Sequence, residues 1–409
     1  MSLLDKASLV CTPNAYKTSK LYSIIPTNGN GDMTFSRATT ATRDNSSGLV
    51  ELVGNNIPRL EYYGSCPSIL LEPQRTNLLT YSEMFADVIW LKPNSTISAN
   101  VTTSPDGTLT ADRFSANGIN ATHQLTQSIT FTTATNYTFS MYAKADTNNF
   151  IQLVLPGAVF GVNAWANFNV LNGTIGTVGS ASTANIVNVG NGWFRCSITA
   201  PATVTILSTI IANIVTSSTS IRSEANTLTT SLFIWGAQLE VGAYITSYIP
   251  TTATVLTRNA DIISIDNIYT NGLIISAGGT WFVELDNNFS LVRDSASNGL
   301  SLGDVIVTVN GFVIKNSGVL GRLIIQKVIT SPTTLYTTLT DSVKILIKWN
   351  GVTADIFVNG IKVVTSTVFT TTAMEYLQGS ASDVPKYIKS MMLFPTPLTD
   401  DECAYLTTL

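Results

Sequence analysis

The chain has 409 residues, 12% of them charged and 44% hydrophobic, with a formal net charge of -4 and a pI near 5.1. No basic block occurs, which argues against nucleic acid as a partner. The most apolar stretch, Val204 to Val215, holds Ser208, Thr209 and Asn213 and falls well short of the ~20 residues of a membrane span.

Charge is scarce against the roughly 25% of an average globular chain, and Thr, Ser, Asn and Gly take its place. Thr suits a pleated surface, and Asn and Gly accept the positive φ of hairpin turns, so strands joined by tight turns are expected. The length suits two to three domains. Residues 1–80 are irregular and rich in Arg, Pro and Asn, as in Phe35-Ser-Arg-Ala-Thr-Thr-Ala-Thr-Arg43 and Ile69-Leu-Leu-Glu-Pro-Gln-Arg-Thr-Asn-Leu-Leu79. With little alternation they are not expected to form a core alone, and should lie against another surface. Met1 to Val10 carry Asp5 and Lys6 and lack a long apolar core, so no secretory signal is read there and synthesis in a cytoplasm is expected.

Residues 81–258 read as one β-sandwich. Tyr137 to Lys144 alternates strictly; Phe150 to Leu155, Trp193 to Thr199 and Leu232 to Glu240 are further strands, and Asn172-Gly173 and Asn191-Gly192 are hairpin signals. Residues 259–409 read as a second sandwich, with turns at Asn350-Gly351 and Asn359-Gly360. A last helix is predicted behind Thr399, where Glu402 completes a capping box. The fold class is therefore all-β, with two sandwiches preceded by an irregular segment. Cys11, Cys66, Cys196 and Cys403 are far apart, and buried thiols are expected in preference to disulfides or zinc.

His123 is the only histidine; without a GxSxG elbow it reads as a polar turn or sandwich-edge residue. Asp106, Asp112, Asp286, Asp294 and Asp304 could supply a glycosidase's carboxylates, but nothing marks a converging pair. The chain is thus expected not to be an enzyme, with a polysaccharide depolymerase as the enzymatic alternative. No cofactor is expected. Asp286-Asn-Asn288 and Asp304 offer oxygen ligands of the kind a structural calcium takes, against a reading as solvated turn residues. For a sugar, Phe160-Gly-Val-Asn-Ala-Trp165 is the candidate loop. Phe160 and Trp165 would stack, and Asn163, Gln152, Tyr142 and Arg195 would surround the hydroxyls. In the competing reading Trp165 begins a strand and packs inside.

Several stretches together resemble tail-fibre and head-fibre proteins of tailed bacteriophages, in particular of gut Bacteroidales. Leu71-Glu-Pro-Gln-Arg-Thr-Asn-Leu-Leu79 with Tyr81 to Phe85 and Trp90 resembles the entry into a carbohydrate-binding-module-like jelly roll. Ala111-Asp-Arg-Phe114 resembles an early part of that domain, and Gly192-Trp-Phe-Arg195, Trp235 to Gly242, Ser247 to Thr251 and Thr257-Arg-Asn-Ala-Asp261 resemble its closing strands. Asp355 to Val363 and Leu393 to Asp400 resemble a concanavalin/laminin-G-like lectin sandwich, and Leu3 to Val10 with Pro13 to Lys17 is similar to virion proteins. The resemblance implies a virion-surface fibre made in the host bacterial cytoplasm, attached to other virion proteins through residues 1–80. It implies a homotrimer, with a dimer next, that meets a host surface glycan. A purely structural decoration or connector protein is the alternative.

Overall fold

The computed structural model describes residues 2–63, 66–275, 277–286, 299–304, 310–316, 322–329, 331–339, 343–369, 374–380 and 386–408. It is all-β, built of antiparallel sheets in sandwich-like arrangement, and the longest helix among the described residues is Asp400–Thr407. Two compact units divide the chain. A split unit contains Met1–Ser46, Val53–Gln74 and Asn259–Leu409, and an inserted unit contains Ser47–Leu52 and Arg75–Arg258.

In the inserted unit a six-stranded sheet runs in the order Ser95–Thr102, Ala111–Ala116, Ser231–Val241, Asn136–Ala145, Trp193–Pro201, Thr183–Asn188. A five-stranded sheet runs His123–Phe131, Ile206–Ile214, Phe150–Val154, Trp165–Asn169, Thr174–Val178. The alternation seen in the sequence is what joins them. Phe139 and Met141 from one sheet meet Leu125, Ile151, Leu153, Phe168 and Ile210 from the other in one buried cluster. Burying such side chains stabilises by roughly 1.5–3 kcal/mol each, which offsets the entropy of ordering the strands.

The split unit differs from the expected division at residue 80. Met1–Ser46 and Val53–Gln74 are not a separate irregular segment, because strands in them complete sheets formed with residues 259–409. Leu9–Cys11 pairs with Lys386–Phe394, with Leu9 opposite Leu393; Cys66–Leu71 pairs with the same strand, and Met33–Ser36 pairs with Ile262–Asp266. The strands here are two to six residues long, too short for a sustained period-2 pattern. The backbone groups of this ordered segment find their partners in its own chain.

The hairpins predicted at Asn172-Gly173 and Asn191-Gly192 join paired strands in the inserted unit, and those at Asn350-Gly351 and Asn359-Gly360 lie in the split unit. Val343–Trp349 pairs with Thr353–Val358, and Val358 stands opposite Ile361 across Asn359-Gly360. Both turn residues have positive φ, 48° and 81°, which is the backbone of a type I′ turn. Ile345 and Ile347 are buried on one face of their strand, while Leu346 on the other joins Phe282, Phe357, Phe394 and Cys403 beneath the terminal helix. That helix has the expected cap: Thr399 accepts from the Glu402 amide and Glu402 accepts from the Thr399 amide.

No disulfide forms among the cysteines. Cys11, Cys196 and Cys403 are buried as expected, and burial pushes the Cys11 and Cys403 thiols up to about 12. Cys66 departs from the expectation, because it begins its strand on the exposed side.

Candidate functional site

The inserted unit presents the outer face of its five-stranded sheet, the face opposite the shared core. Antiparallel register puts paired residues on one face. Gln124 pairs with Asn213, Asn213 with Gln152, and Gln152 with Asn167, so four amides form a row across four strands. Gln152 donates to Asn167 Oδ1 at 2.7 Å, and Asn213 donates to Gln152 Oε1 at 3.1 Å. The next row is Thr126, Ile211, Val154 and Trp165, extended at the sheet edge by Leu91, which bridges to Thr126.

A strap, residues 216–224, covers the amide row. Asn167 donates to the carbonyls of Ser218 (3.2 Å) and Ser220 (2.7 Å). Gln152 donates to Ile221 O at 3.0 Å and accepts from the Ser223 amide at 2.7 Å. Gln152 and Asn167 tolerate burial because the strap backbone satisfies them, whereas Asn213 Oδ1 is buried without a hydrogen-bond partner. Beyond the strap the face opens: Ser128, Thr130 and Leu207 are exposed, and Thr209 and Ile211 are half-buried. Hydroxyls and aliphatic carbons stand side by side there, and Ser128 Oγ lies 3.0 Å from Thr209 Oγ1.

The six residues expected to form a sugar site do not converge. Phe160 is buried in the core, edge-on to Phe131 at 5.1 Å. Trp165 opens its strand and is 9% exposed, as in the competing reading. Gly179 lets the neighbouring turn close on it, since a Cβ there would lie 2.1 Å from Asn163 O and 2.8 Å from Trp165 Nε1. Asn163 is exposed in the loop. Gln152 is the centre of the amide row. Tyr142 and Arg195 belong to the other sheet, on its outer face. There Arg195 stacks 5.1 Å over the Tyr142 ring and donates to Thr246 O (2.7 Å) and Ser140 Oγ (3.1 Å). Tyr142 packs with Trp193, Trp235 and Tyr248. An exposed aromatic platform around Phe160 was expected because Gly161 and Asn163 suggested an open loop. Tertiary packing instead turned Phe160 into the core and buried Trp165 on the outer face, against the turn at Gly179.

Asn167, Asn213 and the strap carried a signal that was overlooked. In Trp165-Ala-Asn-Phe-Asn169 the alternation puts Asn167 opposite the core residues Ala166 and Phe168. Ile151-Gln-Leu153 does the same for Gln152.

His123 is fully buried, with Nδ1 2.6 Å from Asn94 O and Nε2 3.0 Å from Asn226 O, so backbone carbonyls hold both ring nitrogens. Of the calcium candidates, Asn287 and Asn288 lie outside the described residues, as does Asp294. Among the described residues no group of three or more His, Cys, Asp or Glu could hold a metal ion.

The split unit contains a different polar cluster. Arg37, Glu72 and Asp261, each from a motif singled out in the sequence, meet Arg59 in one buried network. Asp261 accepts from Arg37 Nη1 at 2.9 Å, from the Glu72 amide at 2.8 Å, and from Arg59. Arg59 donates to Glu72 at 2.7 Å and to Thr42 O at 2.9 Å. Burial alone would lower the Arg59 pKa; the charges of Asp261 and Glu72 more than reverse this and raise it. Nearby Glu61 is buried, and that burial, reinforced by the Asp44 charge, pushes its carboxyl well above the usual range.

No family model matches the chain, and no curated protein does. Some solved structures are similar at low identity. Trypanosoma rangeli sialidase with 2,3-difluorosialic acid bound shares 7% identity over 72% of this chain and 59% of its own, with a TM-score of 0.27. A mutant of that sialidase with trans-sialidase activity shares 8% over 59% of this chain and 48% of its own, with a TM-score of 0.28. Domains LG4-5 of the mouse laminin alpha1 chain share 9% over 66% of this chain and 84% of their own, with a TM-score of 0.22. The chain thus spans about half to three-fifths of the sialidases it resembles. At these TM-scores the likenesses assign no site and no activity. They do correct one expectation: a chain that is not an enzyme was expected, and the sialidases among the similar structures are enzymes.

Proposed function

We propose that this chain is a fibre subunit on the surface of a tailed-bacteriophage particle. In this reading it meets a host surface glycan on the outer face of the five-stranded sheet. The observation that carries the reading is the open part of that face, where Leu207, Ile211 and Leu91 offer apolar carbons beside the hydroxyls of Ser128, Thr130 and Thr209. A sugar ring presents C–H faces and hydroxyls, and such a mixed surface addresses both. The virion setting is supported by the phage-fibre motifs and by the low charge, which keeps the electrostatic cost of packing identical subunits small.

Attachment to other virion proteins then uses a folded surface of the split unit, because residues 1–74 are built into its sheets. Identical copies associate through open sheet edges such as Ile361–Val368, with a cyclic trimer as the expected closed form. Single glycan sites of this kind are weak, near millimolar or ~4 kcal/mol, and gain strength from the number of copies on a particle.

The test is a glycan array probed with the purified chain and with Leu207→Asp, together with imaging of antibody-labelled particles. Binding lost in the variant and label on the particle surface are expected. Unlabelled particles overturn the virion reading, and full binding by Leu207→Asp overturns the placement of the site.

A further inference from the structure

Arg222 sits in the strap with both chain neighbours held by one side chain. Gln152 Nε2 donates to the carbonyl of Ile221, and Gln152 Oε1 accepts from the amide of Ser223. The backbone carrying Arg222 is thereby fixed to the amide row. Glu224, the closest carboxylate in sequence, is engaged elsewhere: its oxygens accept from the Thr216 amide at 2.9 Å and from Ser220 Oγ at 2.9 Å. The guanidinium has one weak contact, Nη2 to Leu155 O at 3.5 Å. Its Nε is buried without a hydrogen-bond partner, and among the described residues no carboxylate lies within ion-pair distance. Nη1 is neither bonded nor buried. Burial lowers the Arg222 pKa, the mark of a cation that has lost water without gaining a counter-charge.

The surroundings point to the kind of anion. Nη2 lies 3.6 Å and Val162 Cγ1 3.5 Å from where a Cβ on Gly157 would stand, so Arg222 and Val162 flank the same backbone. Val162 is 67% exposed, and Ile221, next to Arg222 in the chain, is 71% exposed, so exposed apolar side chains stand near the cation. Leu155 follows Val154, whose sheet partner Ile211 borders the open part of the outer face. A small hydrated anion gains nothing from such flanks, whereas a sugar ring bearing a carboxylate places its C–H face on them and its charge on the guanidinium.

We propose that Arg222 reads the carboxylate of an acidic glycan, so that the ligand on this face is a carboxylated sugar and not a neutral one. This rests on the glycan reading given above and specifies its ligand class. The carboxylate accepts from the Nη edge of Arg222, which supplies the counter-charge the protein leaves out.

The test is an array in which each carboxylated oligosaccharide is printed beside its carboxyl-reduced form, probed with wild type, Arg222→Ala and Arg222→Lys. Sodium phosphate and sodium sulfate at matched ionic strength serve as competitors. Wild type should prefer the carboxylated member of a pair. Arg222→Ala should lose about tenfold or more on it, the size of a charge-assisted hydrogen bond, and keep its weak binding to the reduced member. Arg222→Lys should recover part of the loss. A thermal melt matching wild type shows that the variants are folded; a variant that fails it is replaced by Arg222→Gln in the same comparison. Equal binding of both members by wild type, or equal loss on both in Arg222→Ala, overturns the proposal while leaving glycan binding in place. Displacement by phosphate or sulfate at the sugar's own concentration assigns the site to simple anions and also overturns it. Absence of binding to every glycan removes the broader reading together with this one.

Discussion

Each unit buries a polar cluster, and the two solve the burial problem differently. The split unit uses full charges: two guanidinium groups and two carboxylates in contact, with Asp261 accepting from three donors. The inserted unit uses neutral amides, Gln152, Asn167 and Asn213, linked to one another and to strap carbonyls, with Asn213 Oδ1 left without a partner. A buried ionic network stands only if every member is present, because each lost partner leaves a bare charge in a low-dielectric interior. An amide row loses only ordinary hydrogen bonds and can shed a covering loop into water at modest cost. The charged cluster thus suits a fixed junction, and the amide row suits a surface whose cover can respond to a ligand.

The largest effect that would break this contrast is in the charged cluster. Asp261→Ala should cost about 3–5 kcal/mol, since Arg37 and Arg59 are left buried without their shared carboxylate. Urea unfolding measures it, and a loss under 1 kcal/mol would mean that the cluster is not acting as a unit. Gln152→Leu should cost less, about 1–3 kcal/mol, as Asn167, Asn213 and two strap groups lose a partner. Hydrogen exchange should then speed up in residues 216–224 before it does in the strands. A local effect of this kind is what separates the amide row from the ionic cluster.

Thr399→Ala should cost roughly 1 kcal/mol by removing the cap of the terminal helix. Exchange of the Glu402 amide reports it, and no change would mean that packing alone holds the helix.

Glu61 gives a smaller shift with a definite sign. Its carboxyl titrates higher in the folded chain than in the unfolded one. The stability it contributes is therefore fully present below the unfolded value and is lost as pH rises through the folded one. Glu61→Gln should raise the melting temperature more at pH 8 than at pH 5, because the glutamine is neutral at both and can still accept from the Asp44 amide. An equal shift at both pH values would show that Glu61 is not the group that titrates.

The last prediction leaves stability unchanged. A thiol reagent should label Cys66 and spare Cys11, Cys196 and Cys403 under native conditions, as their burial predicts. Mass spectrometry counts the labels, and labelling of a second cysteine would show that one of the cores opens.

Local signals in the sequence determined much of this protein. Low charge and abundant Thr, Asn and Gly set the all-β class; strict alternation from Tyr137 to Lys144 marked a core strand; Asn359-Gly360 marked its turn and Thr399 with Glu402 its helix cap. These depend on residues near one another in the chain, whose backbone preferences act before any long-range contact forms. What only the tertiary structure decided joins distant residues. Leu9 opposite Leu393, with Met33–Ser36 on Ile262–Asp266 and Cys66–Leu71 on Lys386–Phe394, places strands from the first 74 residues in the sheets of the last 151. Arg37, Arg59, Glu72 and Asp261 meet only once those sheets are assembled. Phe160 turns into the core because core space receives it, Trp165 is buried on the outer face by the close approach at Gly179, and Gln152 reaches Arg222's neighbours only because a loop 69 residues away folds back over its strand. A residue's chemistry can be read from its letter, but its partners are set by register and packing, which no local pattern encodes.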